Sequence, residues 1–289
     1  MKNRTARRKA PAAAPMRKST VPTARQRKST AAKPPARPPA KESLNQRRAR
    51  VLKILSALHE EYANATCALS HVNPFQLLIA TILSAQSTDD TVNKVTPILF
   101  ARFPTPHGLA DAPREEVERI IHSTGFFRQK ARSIQGACRR IVEEFGGAVP
   151  QMMDALVTLP GVARKTANVV LGTAFGKNEG VVVDTHVGRL ATRLELTWNG
   201  RDGKDAVRIE RDLMEIVPRE EWTFLSHALI WHGRRICLAR KPDCAGCALA
   251  NVCPNAGKPD SRLPRASNQP IALRTRRRQN LVQKPERPS

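Results

Sequence analysis

No stretch of this 289-residue chain approaches the run of ~20 apolar residues that spans a bilayer, so no transmembrane helix is expected. The basic N-terminus lacks the apolar run of a secretory signal, which argues against export. Rich in arginine and poor in acids, that start shares features with organellar transit peptides. Its prolines, however, oppose the amphipathic helix such peptides form. Period-2 hydrophobic patterns are nearly missing as well: Gly180-Val181-Val182-Val183 is the best strand candidate, and it is short. An all-α class follows. No internal repeat of fixed period is found.

Acidic residues are scarcest where the charge is greatest. Of the formal net charge of +24, residues 1–50 carry +15, with 16 Lys or Arg against the single acid Glu42. Residues 258–289 carry +7, from nine basic and two acidic residues, which leaves +2 for 51–257. The middle of the chain is nearly balanced. Tails of Lys, Arg, Pro and Ala bury too little apolar surface to offset the entropy of ordering, so 1–43 and 258–289 are expected to be disordered. Basic tails beside a folded domain add salt-sensitive, sequence-blind affinity for polyanions. A solubilising extension without a partner is the plainer alternative. A nucleic-acid partner is favoured, although composition alone fits a ribosomal or chromatin-like protein equally well.

Helix-length segments fill the middle. Ser43 is a candidate N-cap for a helix with the apolar stripe Val51, Ile54, Leu55, Leu58 and Tyr62. Pro74 opens a second, with Phe75, Leu77, Leu78, Ile79, Ile82 and Leu83 apolar on nearly all faces, as in a buried helix. Thr88 or Asp89 can cap a third carrying Val92, Val95, Ile98 and Leu99, and Asp89 reads chiefly as that cap. Breaks at Pro104, Pro106, Gly108, Pro113, Gly125, Gly146-Gly147 and Pro160-Gly161 bound helices expected over 114–122, 129–145 and 152–159. Later helices are expected over 203–217, 221–237 and 245–251.

The most telling stretch is Leu159-Pro160-Gly161-Val162-Ala163-Arg164-Lys165-Thr166-Ala167. Pro160-Gly161 ends one helix, and another starts almost at once through Ala167, Val170 and Leu171. A tight turn entering a helix aims free backbone N–H groups outward, an arrangement that suits a phosphate. Lys165 falls in the first turns of the second helix, and Asp184 follows 19 residues later. A lysine and a carboxylate beside such a turn point to chemistry on nucleic acid. The bland alternative is an ordinary helix pair with solvated charges.

Six cysteines divide into two kinds. Cys67 and Cys138 stand alone in apolar surroundings and read as buried thiols. Cys237, Cys244, Cys247 and Cys253 fall within 17 residues, with Gly246, Pro242 and Pro254 available for tight turns. Without export, disulfides are not expected. Four thiolates fit tetrahedral zinc or a [4Fe–4S] cluster. A Cys-x-x-Cys knuckle favours zinc, whereas the uneven 6-2-5 spacing without a second knuckle favours iron–sulfur.

Together these pieces resemble the endonuclease III family of helix-hairpin-helix DNA glycosylases. The resemblance is carried by Leu83-Ser84-Ala85-Gln86-Ser87-Thr88-Asp89, the stretch from Leu159 to Ala167, Val183-Asp184-Thr185-His186-Val187 and the four cysteines, over about residues 44–257. It implies a two-lobed all-α fold: a six-helix barrel at 67–177 and a cluster lobe built from 44–66 plus 178–257, with DNA in the groove between. It also implies a [4Fe–4S] cluster on Cys237, Cys244, Cys247 and Cys253. Damaged double-stranded DNA would be the partner, of a monomer working in the bacterial cytoplasm with the nucleoid. An organellar or nuclear address for the basic N-terminus stays open.

By the same resemblance Lys165 and Asp184 are the catalytic pair, on opposite sides of the groove. An amine can attack C1′ of a flipped nucleotide, expel the base and leave a Schiff base, after which β-elimination cuts the strand 3′ to the site. Gly161, Val162 and Ala163 would present N–H groups to a phosphate. The family usually has Gly-Val-Gly there, so Ala163 is a departure that could crowd the backbone against DNA. Gln86 and Phe126 would enter the duplex gap, where the family commonly has leucine in place of Phe126. Otherwise Gln86 ends a helix, and one of Phe126 and Phe127 anchors the core. Arg164, Arg189, Thr185 and His186 are further candidate DNA contacts. Alternatively Arg164 and Arg189 are solvated helix residues, and His186 caps a loop. Lys165 favours a bifunctional glycosylase and lyase for oxidised pyrimidines over a monofunctional adenine or mismatch relative. The adenine type has a glutamate in the first helix region, and helix 74–86 has none. Lys165 and Asp184 together argue against a non-catalytic DNA-binding protein of the same fold.

Overall fold

Polar caps start most of the helices. The computed structural model describes residues 42–198 and 205–258, so most of both tails and the start of the helix expected at 203 lie outside it. Among the described residues there are eleven α-helices and no strand: α1 (Leu44–Glu61), α2 (Pro74–Leu83), α3 (Asp89–Arg102), α4 (Pro106–Ala110), α5 (Arg114–Ile121), α6 (Phe127–Phe145), α7 (Met153–Leu156), α8 (Arg164–Phe175), α9 (Thr185–Arg193), α10 (Ala206–Ile216) and α11 (Trp222–Arg235). Ser43, Asn73, Thr88, Thr105, Asp184 and Asp205 each accept a backbone N–H of the helix they precede. Ser43 and Gln46 form a reciprocal capping box. Just upstream, the Glu42 carboxylate accepts from Arg50 at 2.9 and 2.7 Å. The folded part therefore includes Glu42 and Ser43, ahead of the boundary expected after residue 43.

Two apolar cores organise the helices. The first runs from Leu69 to Leu171 and contains nearly all of α2, as the all-round apolar pattern of that helix requires. There α6 packs on α4 and α5, and α2 packs on α3 and α8. The second core joins α1 to the chain beyond Val181, with Ile54, Leu58, Leu190, Leu213, Leu225 and Leu229 fully buried. Burying each such side chain contributes about 1.5–3 kcal/mol. Contacts between α11 and α8, and an Arg234–Asp89 ion pair at 2.6 Å linking α11 to α3, tie the two halves together.

Several local expectations are corrected. Residues 180–183 form no strand: Val181 and Val183 join the second core, and buried Val182 donates its N–H to Ser226 Oγ rather than to a neighbouring strand. The helix expected over 152–159 is one α-turn, because Thr158 and Leu159 bond three residues back and tighten the chain toward the hairpin. Over 245–251 the backbone winds in turns around the cysteines, with a short 3₁₀ turn at Ala250–Val252. The third helix is capped by Thr88, which leaves Asp89 in its first turn to hold Arg234.

Candidate active site and nucleic-acid interface

Leu159 and Val162 are buried at either side of the hairpin and fix its turn. Gly161 has φ +80, and a Cβ there would lie 2.8 Å from Ser133 Cβ, so dihedral and space both demand glycine. Ala163 lies at φ −98 and ψ 170, ordinary extended backbone, so its β-carbon adds no backbone strain. It is the N-cap of α8 and has no side-chain acceptor to offer. Alanine at an N-cap costs a helix about 0.5–2 kcal/mol relative to Ser, Thr, Asp or Asn. The first N–H groups of α8 are thus left without a side-chain partner, beside an exposed surface where Lys165 is the helix's second residue.

Asp184 is the N-cap of the next helix. Its Oδ1 accepts the His186 and Val187 N–H groups, both at 2.8 Å, and its Oδ2 faces His186 Nδ1 at 2.8 Å. Burial alone would push this carboxyl up, but the His186 ring, the two N–H groups and the His186 charge outweigh it and hold it below its ordinary value. Asp184 is therefore ionised at neutral pH. Thr185 is exposed at the first position of α9.

Gln86 and Phe126 share an uncommon backbone. Gln86 sits at φ +54 and Phe126 at φ +49, the left-handed region that costs a non-glycine residue about 1–2 kcal/mol. Both side chains are exposed, Phe126 at 68%. Its neighbour Phe127 is the core anchor of the pair, packed on the first core and against His122 at 4.4 Å.

The arginines expected on DNA are occupied elsewhere. Arg164 donates to Glu210 and to the Glu179 carbonyl. Arg189 turns inward to the carbonyls of Gly233 and Cys237.

All six cysteines are free thiols. Cys138 is buried in α6, its thiol pushed up to about 12 by burial. Cys237, Cys244, Cys247 and Cys253 are half-buried neighbours: burial and the other three thiols push the Cys247 thiol up. Among the described residues no three His, Cys, Asp or Glu side chains converge on one ion position. Arg193 donates to Cys237 Sγ at 3.3 Å, and His232 Nε2 lies 3.3 Å from Cys247 Sγ. Burial drives His232 down to about 4, so it is neutral, and its other nitrogen meets Tyr62 Oη at 2.9 Å. Sequence reasoning missed His232, Arg193 and Glu210. Each lies on an ordinary amphipathic helix, and no spacing marks it.

Residues 79–219 match the HhH-GPD superfamily of base excision DNA repair proteins. The chain is 58% identical over 207 residues to endonuclease III of Synechocystis sp., covering 72% of this chain and 93% of that one. Against endonuclease III of Bacillus subtilis the identity is 43% over 210 residues, covering 72% and 93%. A solved structure of a trapped covalent endonuclease III–DNA intermediate, an estranged-adenine complex, superposes with a TM-score of 0.66 at 42% identity, covering 72% and 96%.

Proposed function

The chain belongs to the endonuclease III family, and from that membership we propose that it is a bifunctional base excision enzyme. It removes oxidised pyrimidines of the thymine-glycol type from double-stranded DNA and then cuts the strand. The observation that carries the reading is the exposed Lys165, placed two residues past an N-cap without an acceptor, together with Asp184 held ionised at the start of the following helix. A trapped covalent complex of a relative with DNA supports a nucleophile on the protein.

In this mechanism the hairpin N–H groups hold a backbone phosphate at the N-terminus of α8. Gln86 and Phe126 fill the gap that the flipped nucleotide leaves in the duplex. Lys165 Nζ bonds to C1′ as the glycosidic C–N bond breaks, and the base departs with a proton. The sugar ring opens to a Schiff base whose positive nitrogen acidifies the C2′ hydrogen. Loss of that proton expels the 3′ phosphate by β-elimination, and water then releases the lysine. Asp184, held below its ordinary value, serves the positive charge that develops at C1′ better than it serves as a strong base.

Cys237, Cys244, Cys247 and Cys253 would hold a [4Fe–4S] cluster. Four free, half-buried thiols near enough for the other three to act on Cys247 supply the all-thiolate ligand set that such a cluster takes. The cluster would pin the segment after α11 to the second core, and no chemical step is assigned to it.

Borohydride reduction tests the reading. Wild-type protein with an abasic or thymine-glycol duplex should give a covalent adduct, and Lys165→Ala should give none while it still binds DNA. Binding without an adduct from the wild type would overturn the lyase assignment.

A further inference from the structure

The carboxylate of Glu210 on α10 gathers three segments that the proposed chemistry depends on. Arg164, the first residue of α8, donates its Nε to Glu210 Oε1 at 3.1 Å and Oε2 at 3.3 Å. Its Nη2 lies 3.1 Å from Oε1 and reaches the Glu179 carbonyl at 3.3 Å. Asn168, one turn further along α8, is only 3% exposed and donates Nδ2 to the same Oε1 at 3.0 Å. A β-carbon at residue 180 would run into Glu210 Oε1 and Asn168 Nδ2, so Gly180 is the residue that lets the loop close on this cluster. The Glu210 side chain is 12% exposed, while that of Arg164 is 49% exposed. The carboxylate is the inner member of the pair and the guanidinium the outer one.

Both proposed catalytic side chains hang from segments clasped here. Lys165 directly follows Arg164. Asp184 follows Gly180 by way of three buried valines, with the middle one bound to Ser226 Oγ. Without Glu210, the only polar link left here between α8 and the loop before α9 would be the 3.3 Å bond from a no longer braced Arg164 to the Glu179 carbonyl. Asn168, whose Oδ1 already has no partner, would then lose its Nδ2 partner too.

We propose that Glu210 is a positioning residue: through Arg164, Asn168 and the Glu179-Gly180 backbone it sets the register between Lys165 and Asp184. The inference rests on the roles proposed for those two residues. In this arrangement Arg164 is part of the clasp rather than a phosphate ligand.

The test uses the full chain and two duplexes: one with an abasic site, and one with a non-cleavable tetrahydrofuran analogue for affinity. Glu210→Ala removes the carboxylate that Arg164 and Asn168 share and leaves only the Arg164–Glu179 bond, whereas Glu210→Gln keeps shape and the Asn168 bond and removes the charge. At saturating abasic duplex, adduct formation in a single turnover should slow about tenfold or more in Glu210→Ala and about threefold in Glu210→Gln, because sub-ångström misplacement of reacting groups costs rate. Affinity for the analogue should stay within about twofold of wild type. Gly180→Ala, which displaces the carboxylate, should behave like Glu210→Ala. In the double variant, Arg164→Gln should add little to Glu210→Gln, as expected of residues acting as one unit. Should Glu210→Ala fail to fold, Glu210→Gln and Gly180→Ala decide. A wild-type rate per folded molecule in the folded variants, whatever their Tm, would overturn the proposal. So would a change confined to affinity, which would make Arg164 a phosphate contact. No adduct from the wild type would overturn the roles of Lys165 and Asp184, and this inference with them.

Discussion

Asp184 has two jobs on the reading above, and substitution can separate them. As N-cap, its Oδ1 takes two N–H groups of α9 at 2.8 Å each. As a charge, it pairs with His186 and faces the centre where positive charge develops. Asp184→Asn keeps an acceptor oxygen, and asparagine caps helices about as well as aspartate. The amide can also donate to a neutral His186. What is lost is the charge. The two side chains of that pair are 20% and 26% exposed, which places its worth at about 0.5–1 kcal/mol, with about 0.3–1 kcal/mol more from the helix end. Asp184→Ala loses the cap as well, a further 0.5–2 kcal/mol or about 1 in the middle of that range. For a fold of this size about 1 kcal/mol moves Tm by 2–4 °C, so the expected falls are about 4 °C for Asn and about 7 °C for Ala.

The chemistry should not follow that order. Removing one preorganised electrostatic group costs about 10²–10³ in rate, so both variants should form the borohydride-trapped adduct at least about a hundredfold more slowly. The measurements are thermal melting and single-turnover trapping on the same samples. Asp184→Asn trapping at the wild-type rate would refute the catalytic role and leave only a cap. The pH dependence has a definite sign. The folded carboxyl is held below its ordinary value of 3.8, so its ionised contribution is present above that value and lost as pH falls through the lower folded one. The carboxyl's share of the melting advantage of wild type over Asp184→Asn should disappear only below about 3.8.

Two further outcomes follow from exposed and half-buried groups. Phe126→Ala should weaken binding to an abasic duplex by about 1–3 kcal/mol, read as fluorescence-anisotropy affinity. Its Tm should not fall, since the ring is 68% exposed and the backbone already strained; unchanged affinity would remove it from the interface. Cys247→Ser should lower iron content and the visible absorbance of purified protein, and should lower Tm. Wild-type protein that binds no iron under anaerobic reconstitution would refute the cluster.

What sequence pattern could show depended on whether the cause was local. The all-round apolar α2, the Ser43 cap and the broken hairpin are decided by residues within a turn or two of one another, and they could be read directly. Gly161 was legible as a breaker, although the contact with Ser133 that enforces it is not. Three valines at 181–183 favour a strand, and all three are buried without forming one. Whether a strand forms depends on a neighbour, and Ser226 takes that place. The left-handed backbone at Gln86 and Phe126 has no signature, because neither residue is glycine. Glu210 was least legible of all: on α10 it is one acid among several, and its meaning comes from Arg164 and Asn168, 46 and 42 residues away.

The starts of α8 and α9 divide the work of the proposed site. Six helices bring their own acceptor to their first turn, and α9 is among them through Asp184. A second anion there would meet a carboxylate held ionised, and the His186 N–H and Nδ1 are already engaged with it. His186 can therefore offer DNA only its remaining ring nitrogen. At α8 the reverse holds: Ala163 supplies no acceptor, at a cost in helix stability of about 1 kcal/mol. A phosphate at that end would satisfy what the cap leaves open, on the helix that carries Lys165. The departure from glycine at 163 is thus compatible with a tight clamp, because the residue lies at negative φ and gives the hairpin no competing side chain. On this reading the strand is gripped at the hairpin, and Asp184 acts on the sugar rather than on the backbone.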